Sequence, residues 1–206
     1  MPQVRLVDFF TYFRGEVHQK EAVQMLQQCM PHTLLQDDSA WVEKFRETPP
    51  EPKSVLPKAG MDLICEFEGF RPMPYLCPAG VPTIGYGNTF YEDGTMVSMS
   101  DGAITEPQAR RMLEAIAEKD FWDVIKNTIP FWEEMNDEQR GALLSFSFNL
   151  GANFYGSPGF NTISACLRDK AWKEVPDALA LYCNPGSPYE AGLRRRRAAE
   201  GALWLT

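Results

Sequence analysis

Glu68 is the residue in this chain best placed to move a proton. It closes an amphipathic stretch running from residue 58 and carrying Met61, Leu63, Ile64 and Phe67, which ends at Gly69. A helix C-terminus is the negative end of the peptide dipoles and disfavours a second negative charge. Phe67 and Phe70 flank the carboxyl and could strip it of water. Both effects favour a protonated acid near neutral pH, the state a general acid needs. Position alone also fits a solvated surface glutamate, and that alternative stays open at this stage. Cys77 and Thr83 follow within the next fifteen residues, the first in a Pro- and Gly-rich loop and the second at the start of a strand pattern.

Cys77 could act as a nucleophile or pack as a spectator thiol. A cysteine peptidase or amidase pairs its thiol with a histidine base. The chain has two histidines, His18 and His32, so residues 58–206 contain none. That disfavours peptidase chemistry. An unperturbed thiol is mostly neutral at pH 7, and a nearby Glu68 carboxylate would push its titration higher still. The run Arg194, Arg195, Arg196 and Arg197 is a basic segment in an acidic protein, and most of it reads as a solvated helix face.

These residues must be held by surrounding elements. VPTIGYGNTF is rich in β-branched and aromatic residues, a strand pattern, and Asp93-Gly94 marks a hairpin turn soon after it. Thr105 and Gln108 have the spacing of a capping box opening a helix to about Ile125. Asn136 can cap a helix through EQRGALLSFSFNL that stops at Gly151. That segment is apolar nearly all round, which predicts a buried central helix. Helices follow at about 162–172 and 174–183, and GLRRRRAAEGALW closes the chain. Phe146, Phe148, Trp172 and Trp204 read as core residues rather than sugar platforms.

The block CEFEGFRPMPYLCPAGVPTIGYGN, residues 65–88, closely resembles the phage-type lysozymes, glycoside hydrolase family 24. Their signature is a catalytic Glu, eight residues, an Asp or sometimes a Cys, five residues, and a Thr. Glu68, Cys77 and Thr83 reproduce that spacing. QRGALLSFSFNLG and GLRRRRAAEGALW are similar to the family's central helix and C-terminal helix, in the same order. The resemblance spans residues 58–206 and implies an α+β, mostly α, lysozyme-like fold with a small antiparallel β region beside a helical lobe.

The resemblance also implies a reaction, hydrolysis of the β-1,4 bond between N-acetylmuramic acid and N-acetylglucosamine in bacterial peptidoglycan. In that reading Glu68 is the general acid, Thr83 holds the attacking water, and Cys77 stands where an aspartate is usual. Tyr86, Asn88 and Asn149 are implied sugar contacts, and Arg194 is the arginine expected to reach the site and pair with Glu68. The Gly-Tyr-Gly turn at 85–87 is read as letting substrate approach the backbone. A lytic transglycosylase on the same fold, or a non-catalytic peptidoglycan-binding protein, are the alternatives.

Composition bounds the rest. The chain has 206 residues, is 44% hydrophobic and 23% charged, and carries a net charge of −8. That balance fits a packed globular protein and argues against disorder as the main state. An acidic protein lacks the basic field that nucleic-acid binding needs, so no nucleic-acid partner is expected. No apolar run reaches membrane-spanning length, so no stable membrane insertion is expected. No signal peptide is read in MPQVRLVDFFTYFRGE. The expectation is a monomer held in the host cytoplasm, released with a holin's help and acting at the cell wall. The five cysteines show no metal-type spacing and read as reduced thiols, and no metal or other cofactor is expected. Pro49, Pro50, Pro52 and Pro57 mark residues 48–57 as a stiff linker. Residues 1–47 read as a small helical N-terminal module with Ala22, Met25, Leu26 and Cys29 on one face. In it Asp37 or Asp38 caps a second helix.

Overall fold

The computed structural model describes residues 55–206. The N-terminal module and most of the linker lie outside the described residues. Helix α1, Lys58–Glu68, leads into strand β1, Arg71–Leu76, and β2, Pro82–Gly85. A long loop then reaches α2, Glu106–Ile116, a π-helical turn Ala117–Trp122, and α3, Asp123–Thr128. The central helix α4, Asp137–Leu150, follows, then α5, Asn161–Arg168, and α6, Val175–Ala180. Helix α7, Glu190–Trp204, ends the fold. The architecture is the α+β, mostly helical one expected.

Helix α4 is the hub. All seven residues from Gly141 to Ser147 are buried. Its start is fixed by a full capping box: Asn136 accepts from the Gln139 backbone N–H at 2.7 Å, and Gln139 accepts from the Asn136 N–H at 3.1 Å. Helix α1 crosses α4 at a pair of glycines. A Cβ added to Gly60 would lie 2.5 Å from the Gly141 Cα. Only residues without side chains allow backbones this close, and the crossing sets where α1, and Glu68 at its end, must sit. Phe146 anchors an aromatic cluster below, with Phe154 at 5.0 Å and Tyr182 at 5.2 Å between ring centroids.

Helix α1 ends where the sequence placed it. Gly69 adopts φ 75° and its N–H returns to the Cys65 carbonyl. Strand β1 was not foreseen, because RPMPYL holds two prolines and reads as loop. It forms because one partner strand suffices. Tyr75 pairs with Thr83 and Leu76 with Pro82, antiparallel, and an irregularity between Arg71 and Tyr75 absorbs the prolines. The Asp93-Gly94 turn exists, but its flanks make only a single bridge, Phe90 to Met96, not strands. The helix expected from Thr105 to Ile125 is interrupted by the π-helical turn at 117–122, which buries Ala117 and Trp122. The helices near 162–172 and 174–183 are shorter than expected, with a 3-10 turn, Trp172–Glu174, between them.

Candidate functional site

The candidate site residues lie on the last residue of α1, the hairpin β1–β2 and α7. Glu68 is 30% exposed at its side chain, and its Oε1 accepts from Arg196 Nη1 at 2.9 Å. The Phe67 ring lies 5.5 Å from the Arg196 guanidinium carbon and covers that group. Arg194 is not the partner of Glu68. It projects from the outer face of α7 and binds Glu190 at 2.7 Å. The reason is helical phase. Arg196 and Arg197 lie on the stripe that continues to Glu200, Gly201 and Trp204, all buried, whereas Arg194 and Arg195 lie on the solvent side.

Behind Arg196 is a charge network that sequence reading missed. Glu200 has no exposed surface, and its Oε1 accepts from Ser145 Oγ at 2.7 Å and from Arg196 Nε at 3.3 Å. Arg196 Nη2 also donates to the Ser145 carbonyl at 3.2 Å. Arg197 lies 3.2 Å from the other Glu200 oxygen and donates to Asn149 Oδ1 at 2.7 Å. Burial pushes the Glu200 carboxyl up, with both arginines pulling the other way. Burial likewise brings Arg197 down to about 10, opposed by Glu200. The signal for this network was present: charged residues at positions 196, 197 and 200 recur at the period of a core face.

Cys77 and Thr83 come together at the tip of the hairpin. The Cys77 N–H donates to the Val81 carbonyl at 3.0 Å and the Gly80 N–H donates to the Cys77 carbonyl at 2.8 Å, closing a tight turn. The backbone N–H groups of Val81 and Ala79 and the Thr83 hydroxyl favour the thiolate, and Cys77 is lowered below the ordinary thiol range. This corrects the expectation that a carboxylate neighbour would raise it. Thr83 is 3% exposed and its hydroxyl donates to the Val81 carbonyl at 2.9 Å. Its single proton therefore has two acceptors in reach, that carbonyl and the Cys77 sulfur.

The expected sugar contacts fare differently. Tyr86 and Asn88 are 5% and 2% exposed, and their side chains pack within the loop. The Tyr86 hydroxyl donates to Glu106 Oε1 at 2.8 Å, and burial with this bond raises it. Asn88 and Ile84 exchange two backbone hydrogen bonds of 2.9 Å around Gly85-Tyr86-Gly87. Gly85 serves packing as well as turning: a Cβ there would meet Ala109 Cβ at 3.0 Å. Asn149 is partly buried and is held by Arg197. Among the described residues, no group of three or more His, Cys, Asp or Glu could hold a metal ion. No described helix is long and apolar enough to cross a membrane.

Comparison with known proteins gives the family and the fold. The family model described as phage lysozyme matches residues 65–200. The SAR-endolysin of Haemophilus phage HP1 is 32% identical over 73% of this chain and 81% of its own length. The endolysin of Salmonella phage P22 is 33% identical over 68% of this chain and 90% of its own. Among solved structures, a P22 lysozyme variant superposes with a TM-score of 0.62 at 29% identity, covering 73% of this chain and 98% of that one. The muramidase domain of SpmX from Asticaccaulis excentricus gives 0.55 at 28% identity, covering 72% of this chain and 96% of that one.

The chain belongs to the phage lysozyme family. Its activity class is that of a peptidoglycan-degrading, phage-type endolysin.

Proposed function

We propose that the protein is an N-acetylmuramidase, hydrolysing the β-1,4 bond between N-acetylmuramic acid and N-acetylglucosamine and lysing the bacterial wall from within. The observation that carries this reading is Glu68, the final residue of α1, partly exposed and steadied by the buried Arg196. Glu68 protonates the leaving glycosidic oxygen. Cys77 and Thr83 present sulfur and hydroxyl together, and an attacking water is oriented between them and the sugar. A thiolate held by backbone N–H groups can take the part a carboxylate plays, steadying positive charge on the ring or accepting the water's proton. Similar proteins support this reading, since one is a muramidase domain and others are endolysins.

Glu68→Gln tests it on purified peptidoglycan. The parent releases fragments with a new reducing end on muramic acid, and the variant releases none while still binding. Fragments one water lighter, with an anhydro ring, would show transglycosylation instead. An undiminished rate in folded Glu68→Gln would remove Glu68 as the acid.

A further inference from the structure

We propose that Glu200 is a positioning residue for the reaction, acting on Glu68 through Arg196. This rests on Glu68 being the reacting acid.

Arg196 makes three directed polar contacts and no two point the same way. Nη1 donates to Glu68, Nη2 to the Ser145 carbonyl, and Nε to Glu200. The first of these partners reaches solvent, and the Arg196 side chain is 5% exposed. A planar guanidinium held along its Nε edge cannot swing, so its far edge meets the carboxylate in one orientation. Ser145 in turn holds Glu200 from the central helix. The chain of contacts therefore runs from α4 through α7 to the end of α1. It ties the reacting carboxyl to the most buried part of the fold.

Charge gives Glu200 a second effect. The charged groups here are Glu68 on α1 and Arg195, Arg196, Arg197 and Glu200 on α7, with Arg195 exposed and 6.0 Å from the Phe67 ring. The elements packed against them offer Ser145 and Asn149 on α4 and the buried Cys183 thiol after α6. Arg196 divides one positive charge between two carboxylates. A neutral residue at 200 leaves more of that charge facing Glu68, so the pH dependence of the rate changes with the charge at 200.

The test compares Glu200→Gln, Glu200→Ala and Ser145→Ala in the full chain, with folding checked by near-UV circular dichroism. Glu200→Gln keeps an oxygen for Arg196 Nε and retains kcat to within a few-fold at its optimum, but the alkaline limb of its pH–rate profile moves. Glu200→Ala loses kcat on the order of tenfold to a hundredfold, as misplacement of a reacting group does, while KM holds. Its crystal structure shows Arg196 displaced from Glu68. Ser145→Ala removes a hydrogen bond but no charge, and its limb stays in place. A Glu200→Ala enzyme with parental kcat, or with Arg196 still on Glu68, overturns the proposal. If Glu200→Ala does not fold, an unmoved limb in Glu200→Gln does so. Full activity of Glu68→Gln would defeat the acid assignment separately, since the crystallographic displacement of Arg196 does not depend on catalysis.

Discussion

Gly60 and Gly141 occupy each other's side-chain space. A Cβ on Gly60 would lie 2.5 Å from Gly141 Cα, and one on Gly141 would lie 2.9 Å from the Gly60 nitrogen. Both atoms met are backbone and neither can rotate away. Alanine would normally stabilise a helix at such a position by about 1 kcal/mol. Here the crossing must open, and overpacking of this kind costs roughly 1–3 kcal/mol or more. Gly60→Ala and Gly141→Ala therefore both lower Cm in urea denaturation. An increase in either would show that α1 can shift freely on α4. The shift also displaces Glu68, so kcat in the folded variants falls further than the loss of folded fraction explains.

Cys77 titrates below an ordinary thiol, and Cys65 behaves oppositely. Burial pushes the Cys65 thiol up, partly opposed by Arg110. The thiolate is the form that reacts with iodoacetamide. Alkylation of Cys77 thus sets in at lower pH than alkylation of Cys65, read by mass spectrometry across a pH series. Thr83→Val removes the hydroxyl donor and moves the Cys77 profile to higher pH. A profile unchanged in Thr83→Val means the hydroxyl proton stays with the Val81 carbonyl.

An aspartate at position 77 would accept from the same two backbone N–H groups. Cys77→Asp is expected to keep substantial lytic activity, and Cys77→Ala to lose most of it. Near-complete loss in folded Cys77→Asp would show that sulfur does something here that a carboxylate cannot. Turbidity clearing of bacterial walls measures both variants.

Arg194 and Arg196 separate cleanly by substitution. Arg194→Ala removes an exposed ion pair with Glu190, which solvent already screens. Its lytic rate stays near the parent's. Arg196→Ala leaves Glu68 without its guanidinium and deprives buried Glu200 of one counter-charge. Stability falls, by as much as roughly 3–5 kcal/mol for a broken buried pair, and activity falls with it. Equal effects of the two substitutions would contradict the geometry.

Asn136 offers a local measure of how much α4 depends on its cap. Asn136→Ala removes the acceptor for the Gln139 N–H and costs about 1 kcal/mol in thermal or urea unfolding. Asn136→Asp keeps an acceptor and should cost little.

Much of this was legible in the sequence because local chemistry and global fold agree. The Asn136 cap, the Gly69 stop and the unbroken apolar surface of α4 each act within one element, and the structure has all three. Strand β1 was not legible, since its two prolines speak against a strand and only its pairing partner makes it one. The arginine facing Glu68 was misassigned for a related reason. Four consecutive arginines give no hint of phase until Glu200, Gly201 and Trp204 are recognised as the inward stripe of the same helix. The motif supplied Glu68, Cys77 and Thr83, but not the burial of Tyr86 and Asn88, which depends on α2 packing over the loop.

The prolines of β1 have an outcome beyond the fold. Pro72 and Pro74 carry no N–H, and the Pro72 carbonyl is already taken by the Ile104 N–H at 2.9 Å. Met73 and Leu76, in the same strand, are solvent-facing and apolar. Such an edge would ordinarily invite a neighbouring molecule to zip on by main-chain pairing. Stripped of donors, this edge offers an incoming strand too few bonds to hold.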